Sequence, residues 1–543
     1  MQGRWIVGLV LPLLMANVNA QDDAPATLTL NKVHPLVAQR FEEGAGQVMV
    51  WVFLKDKGPI NVSSEVGTMQ RKGHPRTVQR RRQRRTAPGL FDKRDLPVWV
   101  GYENQLEEMG LRSRVKSRWL NAISVSATLE QVERLGELPF VEKVQIVHAL
   151  RTITPVRRVS MERTAASQGA FYGSSESQLA LINLIALHNE GFTGQGIVIG
   201  VLDTGFARTH DAFTNPADPI DVIAEYDFVN NDGNTAPEAG DLSYQHDHGT
   251  NVLGVMGANL PGTLVGGAYD ASYILVKPEN LAFENTSEED LFIAGLEFIE
   301  ANGGDLATSS LVIYNTYTQQ QLDGMTSVMS LGLKIATENG LHCFQGAGNS
   351  GHDSNPATSS LVAPADAFGA ITVGAVNIVG SIANFSSDGP TADGRLKPEI
   401  VSMGVNTMTT SSSNDQFIVG VNGTSFSTPL TAAAAACIVQ KHPDWTVSQL
   451  RAALFQTSSQ YVANQQSDPA FVWGYGLIDA HAASNADPKR SDTNEDFKVD
   501  VVDLLSLLAS WGACLPGQHC PTDFNIDGQV DVFDLLQLLA EWS

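Results

Sequence analysis

Uninterrupted apolar runs mark the middle of the chain. Gly196–Leu202 and Leu341–Gln345 have the pattern of strands buried on both faces of a parallel sheet. Small-residue segments follow glycine-marked turns. Gly249–Met256 and Pro429–Val439 predict helices, the second alanine-rich enough to pack deep in a core. A further helix opens at Thr446, where Thr446 and Gln449 form a capping box. Upstream, Gln47–Lys55 predicts a strand, and Ser117–Ala127, Leu129–Leu135 and Val141–Val147 predict strand, helix and strand of a small α+β unit. Downstream, helices at Leu504–Trp511 and Leu535–Trp542 each follow an acidic loop, and the two loops are one pattern repeated 31 positions apart. The fold class expected is α/β, a parallel sheet flanked by helices, with a small α+β domain before it and a small α-helical domain after it.

At 543 residues, with 43% apolar and 17% charged content, the chain predicts a large core divided among several domains. Arg4, the apolar run Trp5–Met15 and Val18-Asn19-Ala20 predict an export signal over residues 1–20, so the protein is expected to be secreted. That run is too short to span a bilayer, and no other stretch is long and apolar enough to do so. Charge divides the chain, with residues 1–170 carrying +9 and residues 171–543 carrying −33. The two parts should attract, and the acidic part should repel nucleic acid. Arg80-Arg81-Arg82-Gln83-Arg84-Arg85 lies in a basic insert at about 70–95. With no aromatic side chains interleaved, it is expected to be a solvated, disordered loop.

Candidate chemistry sits where the apolar runs end. Asp203 follows a predicted strand, His248 and Ser425 open predicted helices, and Asn349 stands in the turn Gly346–Gly351. A hydroxyl is a poor nucleophile at neutral pH. It needs an imidazole to take its proton, and a carboxylate to hold that imidazole in one tautomer. A helix N-terminus favours negative charge developing on Ser425, and a side-chain amide such as that of Asn349 is the donor an oxyanion requires. The flanking motifs Val201–Gly205, Asp247–Thr250, Gly346–Gly351 and Asn422–Pro429, in that order, resemble those of subtilisin-like serine peptidases. The resemblance runs from about Tyr172 to Ala483 and takes in Ala383–Pro390, Asp393–Val401 and Gly474–Ala480.

The resemblance implies a serine endopeptidase over residues 166–486, acting on proteins or peptides through Asp203, His248 and Ser425 with Asn349 in the oxyanion hole. It also implies an inhibitory propeptide over 21–165, removed by cleavage in the 153–170 linker. Three departures stand out. Asn251 replaces a second histidine and Ser402-Met403 replaces Ala-Pro. Tyr317-Thr318 puts bulk where the family keeps glycine at a pocket wall.

The C-terminal loops offer oxygen ligands at positions 1, 3, 5 and 12: Asp492, Asn494, Asp496 and Asp503 in the first, Asp523, Asn525, Asp527 and Asp534 in the second. That donor set suits Ca²⁺. Residues 487–543 resemble a type I dockerin, which implies a cohesin-like partner. Phe497 replaces the turn glycine of the first loop, predicting a weaker site there, while the second keeps Gly528. Cys514 and Cys520 are placed to pair in an exported chain, and Cys343 and Cys437 are expected as buried thiols. An alternative stays open, a catalytically silent scaffold or adhesion protein working through this last module.

Overall fold

The computed structural model describes residues 31–86, 89–152, 159–161, 171–283, 287–314, 316–515 and 520–543. The predicted signal at 1–20 and most of the 153–170 linker lie outside the described residues. Among the described residues, no helix is long and apolar enough to cross a membrane.

Seven parallel strands form the central sheet, in the spatial order Ile400–Met403, Ile371–Val376, His342–Gly346, Leu306–Ser309, Val198–Leu202, Ser272–Lys277, Asp221–Asp227. The first of these strands in the chain, Val198–Leu202, is buried at every position and has partners on both sides, as its continuous apolar run requires. Strand order turns back on either side of it, so its C-terminal end is the switch point at which open α/β sheets build sites. The helix Thr424–Lys441 is buried along almost its whole length, because five consecutive alanines, Ala432–Ala436, let neighbouring elements approach on every side.

The N-terminal unit is a four-stranded antiparallel sheet ordered Ser113–Ser117, Ala122–Ala127, Val48–Leu54, Val141–Ile146. Alternation along Val48–Leu54 sends Val50, Val52 and Leu54 into the unit's own core. Trp51 and Phe53 go into a second core with Leu291, Phe292, Leu296 and Ile299 of the helix Glu289–Ala301. One strand is thereby buried on both faces although it belongs to an antiparallel sheet.

The arginine run is not a solvated loop. Pro75–Arg84 is a helix, and Arg80, Arg81, Arg84 and Arg85 are each no more than 2% exposed. Glu300 explains this. Its Oε1 accepts from Arg80 Nη2 at 2.5 Å and Arg81 Nε at 2.8 Å, and its Oε2 from Arg118 Nη2 at 3.0 Å. Arg81 also makes a forked pair with Asp95, at 2.8 and 2.6 Å, and Arg85 Nη2 bonds Asp92 at 2.6 Å. Full burial of guanidinium is tolerable only with such complete pairing.

Two buried carboxyls at this interface respond to pH in opposite senses. Burial raises the Glu300 carboxyl, but Arg81, Arg80 and Arg118 outweigh it and hold it at about 2. Burial pushes the Glu289 carboxyl up to about 8, despite the backbone N–H of His148. A depressed carboxyl stabilises the assembly above its free value near 4.5 and loses that contribution as pH falls toward 2. A raised one costs nothing at low pH and destabilises progressively from about 4.5 to about 8. Glu289→Gln is therefore expected to flatten the pH dependence of propeptide affinity between about pH 5 and 8, measured as inhibition of the processed enzyme by added propeptide. An unchanged slope would refute the assignment.

Candidate active site

Asp203 leaves the C-terminal end of the central strand, its N–H bonded to Val276 O at 3.1 Å. Its fully buried side chain accepts from Thr204 N at 2.8 Å and lies 2.7 Å from His248 Nδ1. His248 is the second residue of the helix Asp247–Gly257. Glycines let the two motifs close on each other. A Cβ at Gly249 would stand 2.2 Å from the Gly205 carbonyl oxygen, and one at Gly205, where φ is +110°, would stand 2.4 Å from the His246 ring. With Nδ1 engaged by a carboxylate, the imidazole keeps Nε2 for exchange with another group.

Ser425 is the second residue of the helix Thr424–Lys441, and the next side chain, Phe426, has its ring centroid 5.7 Å from that of His248. Pro429 lies inside this helix and has no N–H for the carbonyl four residues back. That carbonyl belongs to Ser425 and accepts instead from Ser310 Oγ at 3.2 Å. Asn349 follows the buried strand His342–Gly346. Its Oδ1 accepts from Thr424 N at 3.0 Å and Thr424 Oγ1 at 3.1 Å, which fixes the amide so that Nδ2 is the end offered elsewhere. That nitrogen lies 3.1 Å from where a Cβ on Gly423 would be. Asp203, His248, Ser425 and Asn349 are thus gathered at the C-terminal end of the sheet. Asn251, the departure from histidine, bonds Thr410 O through Nδ2 at 2.6 Å, a structural task beside the site.

The short strand that follows Leu306–Ser309 is paired by the chain itself. Leu311 and Val312 pair antiparallel with Thr152 and Arg151, immediately after the N-terminal unit. Tyr317 lines a small cavity with Ile313, Leu322 and Leu361 and meets the His148 ring edge-on at 5.2 Å. Thr318 is exposed and caps the turn Gln319–Gln321, so only Tyr317 of the expected pair forms a wall.

A model of the subtilase family matches residues 194–476. The chain belongs to the subtilase family. A model of the peptidase S8 propeptide domain of Bacteroidota matches residues 49–165. Subtilisin E of Bacillus subtilis is 29% identical over 386 residues, covering 70% of this chain and 84% of the relative. Subtilisin of Bacillus pumilus is 30% identical over 322 residues, covering 59% of this chain and all of the relative. The crystal structure of fervidolysin from Fervidobacterium pennivorans, a keratinolytic enzyme related to subtilisin, aligns with a TM-score of 0.53 at 20% identity. The alignment covers 81% of this chain and 61% of that one, a likeness of fold. The chain is thus a subtilisin-like serine endopeptidase with a propeptide, and the strand at Arg151–Thr152 lies within the residues that the propeptide model matches.

The two C-terminal loops have matching bonding. Asp492 accepts from Asp496 N at 3.2 Å and Phe497 N at 2.8 Å, and Asp523 from Asp527 N at 3.1 Å and Gly528 N at 2.8 Å. Asp503 and Asp534 close the loops through Thr493 N and Phe524 N, both at 2.7 Å. Burial, with the charges of Asp503 and Asp496 nearby, pushes the Asp492 carboxyl up to about 7. Phe497 takes φ +70° and Gly528 φ +90° at the same turn position. The Phe497 ring packs on Tyr461 and Tyr475, at 4.8 and 5.5 Å between centroids, an interdomain contact invisible to loop-level reasoning. Cys514 and Cys520 form a disulfide, and Cys343 and Cys437 are buried thiols. Elsewhere Asp227, Asp232 and Glu238 converge, but Lys277 Nζ already supplies a positive charge 2.9 Å from Asp227.

Replacing Asp203 by Asn exchanges the carboxylate beside His248 Nδ1 for a neutral amide that can also donate, so the His248 tautomer is no longer held. The variant is expected to fold normally by circular dichroism while kcat on a peptide substrate at neutral pH falls about 10⁴-fold. A fall below tenfold would remove Asp203 from the chemistry.

Proposed function

We propose that the protein is a secreted zymogen whose peptidase acts through Asp203, His248, Ser425 and Asn349. Ser425 Oγ attacks the scissile carbonyl as His248 Nε2 takes its proton. The same imidazolium then protonates the leaving amine, and water reverses the sequence to release the acyl group. Asp203 holds the imidazole through Nδ1–H, and Asn349 Nδ2–H with the Ser425 backbone N–H receives the oxyanion. The observation that carries this reading is the 2.7 Å contact between His248 Nδ1 and Asp203 at the switch point of the sheet. The pairing of Arg151–Thr152 with Leu311–Val312 supports inhibition by the propeptide, which holds the substrate edge until the linker is cut.

The C-terminal loops are read as Ca²⁺ sites. Asp492, Asn494, Asp496 and Asp503, and Asp523, Asn525, Asp527 and Asp534, would hold the ion, which suits their hard oxygen donors. The ion would relieve the mutual repulsion of these carboxylates and lock each loop to its helix. The partner reading rests on duplicated apolar faces. Val501, Val502, Leu505 and Leu508 recur as Val532, Phe533, Leu536 and Leu539, all between 46% and 63% exposed. Faces this apolar and this regularly repeated favour a protein partner of the cohesin kind, and they keep the scaffold reading as a second role beside catalysis.

Full-length protein and its Ser425→Ala variant, incubated with Ca²⁺, separate these roles. The wild type is expected to lose the propeptide by intact mass and to cleave casein, while the variant does neither. Wild type that stays inert on casein even after a trypsin-like activator has cut the linker would overturn the peptidase assignment. Chelation is expected to lower the melting temperature of the variant, and excess Ca²⁺ to restore it. Asp527→Ala with Asp534→Ala should abolish most of that calcium response.

A further inference from the structure

The arginine helix Pro75–Arg84 lies in a cradle of the peptidase domain on one side, while Asp92 and Asp95 of the propeptide itself pair with Arg85 and Arg81 on the other. Arg80 reaches Glu300 and the carbonyl oxygen of Gly304. Arg84 Nη2 bonds the Pro443 carbonyl at 2.7 Å, Arg85 Nε bonds Asn339 Oδ1 at 3.0 Å, and Arg76 pairs with Asp305. Two glycines bring the helix close. At Gly303, where φ is +83°, a Cβ would stand 2.6 Å from the His74 ring, and at Gly340, where φ is +85°, 2.7 Å from Arg84 Cβ.

The backbone segments that carry the carbonyl acceptors, and the Asp305 carboxylate, are held by their own domain. Gly304 N bonds Ile299 O at 3.0 Å, Asp305 N bonds Val198 O at 2.8 Å, and Leu341 N bonds Ala336 O at 3.1 Å. Asp305 Oδ2 also accepts from Val198 N at 3.1 Å. The cradle is therefore shaped before any arginine enters, which lowers the cost of binding one. Charge balance, in contrast, comes from the propeptide. Arg80, Arg81 and Arg118 pair with Glu300, and Arg76 and Arg84 pair with Asp305. When the propeptide departs, preorganised carboxylates and carbonyls remain, on a part of the chain carrying −33.

We propose that this cradle is an exosite of the processed peptidase that captures arginine-rich polypeptide segments, with the helix Pro75–Arg84 as its first occupant. It lies at the N-terminal ends of Val198–Leu202, Leu306–Ser309 and His342–Gly346, whereas Asp203 and Asn349 follow the C-terminal ends of the first and last of these parallel strands. A five-residue strand separates the two ends by roughly 16 Å. A polypeptide can thus be held at one end of the sheet and cut at the other. Three separate acceptors around Arg80 (Glu300 and the carbonyls of Gly304 and Asn339) and three around Arg76 (Asp305 and the carbonyls of Gly303 and Gly196) select the guanidinium fork over the point charge of an ammonium.

The inference rests on the propeptide's release. Its test uses the full chain after processing, or after linker cleavage by a trypsin-like activator, separated from the propeptide and blocked at Ser425 by a serine-directed sulfonyl fluoride. A fluorescent peptide of residues 74–86 is titrated in, beside the same peptide with every arginine replaced by lysine. The arginine peptide is expected to saturate one site, with affinity about tenfold or more above the lysine peptide and about tenfold or more above its own affinity for the Glu300→Gln enzyme. Unblocked Glu300→Gln enzyme should keep its kcat/KM on a short chromogenic peptide while its KM for protamine rises about tenfold. Equal binding of the arginine and lysine peptides, or no saturable binding, would overturn the exosite. That comparison needs no substitution in the enzyme, so it decides even if Glu300→Gln does not fold. Inactivity of the unblocked wild type on the short peptide would instead count against the peptidase reading, and leaves the titration to judge the exosite.

Discussion

Parallel pairing of Val198–Leu202 with a strand on each side is the constraint from which the rest of the molecule follows. A parallel sheet has two chemically different ends, and each end here has one task. At the C-terminal end, Asp203 is aimed at His248, and the switch in strand order opens the space into which Ser425 and Asn349 are brought. At the N-terminal end, the turns entering Val198, Leu306 and His342 expose carbonyls and Asp305, and the arginine helix sits there. The propeptide sheet lies across the helix Glu289–Ala301 between those ends through Trp51 and Phe53. Its strand Arg151–Thr152 then reaches Leu311–Val312 beside the site. One propeptide thus touches both ends and the flank of a single sheet.

These contacts differ in energetic character. Trp51 and Phe53 contribute non-directional burial of about 1.5–3 kcal/mol each, which tolerates small displacements. Glu300 with Arg80, Arg81 and Arg118 does not. Desolvating four charged groups consumes most of the Coulomb attraction, so the set adds little net stability, yet losing one member leaves buried charge uncompensated at about 3–5 kcal/mol. Such a set behaves as a unit. It fixes where the propeptide sits more than how tightly it holds, and once one guanidinium rehydrates the others lose their reason to stay.

Local chemistry made much of the architecture readable from sequence. The central strands are continuous apolar runs, the glycines beside Asp203, His248 and Asn349 mark close approaches, and the Thr446 capping box sits where its helix begins. The arginine helix was not readable. Pro75–Arg84 contains one apolar side chain other than proline, Val78, so no periodicity announces a buried face, and the carboxylate that makes burial possible lies 220 positions from Arg80. A charge's fate is set by partners that only the fold brings together. Thr318 failed for a smaller reason of the same kind, since a cap and a pocket wall look alike in one dimension.

Phe497 shows how a local penalty becomes a global contact. At loop level a phenylalanine at φ +70° is unfavourable by roughly 1–2 kcal/mol, and the glycine of the second loop avoids that cost. The ring that causes the strain also wedges between Tyr461 and Tyr475, while neighbouring Glu495 bonds Arg451 Nη2 at 2.9 Å and Arg451 in turn bonds Glu399 at 3.0 Å beneath the sheet. The first loop is thereby stapled to the peptidase domain. Beside the second loop the contact is of another sort, since Cys520 N bonds Thr86 O at 2.8 Å at the end of the arginine helix, in the propeptide. Two loops of near-identical chemistry are tied to two different neighbours, the peptidase domain and the propeptide. Loss of the propeptide, as proposed above, would remove the second of these ties and leave the first.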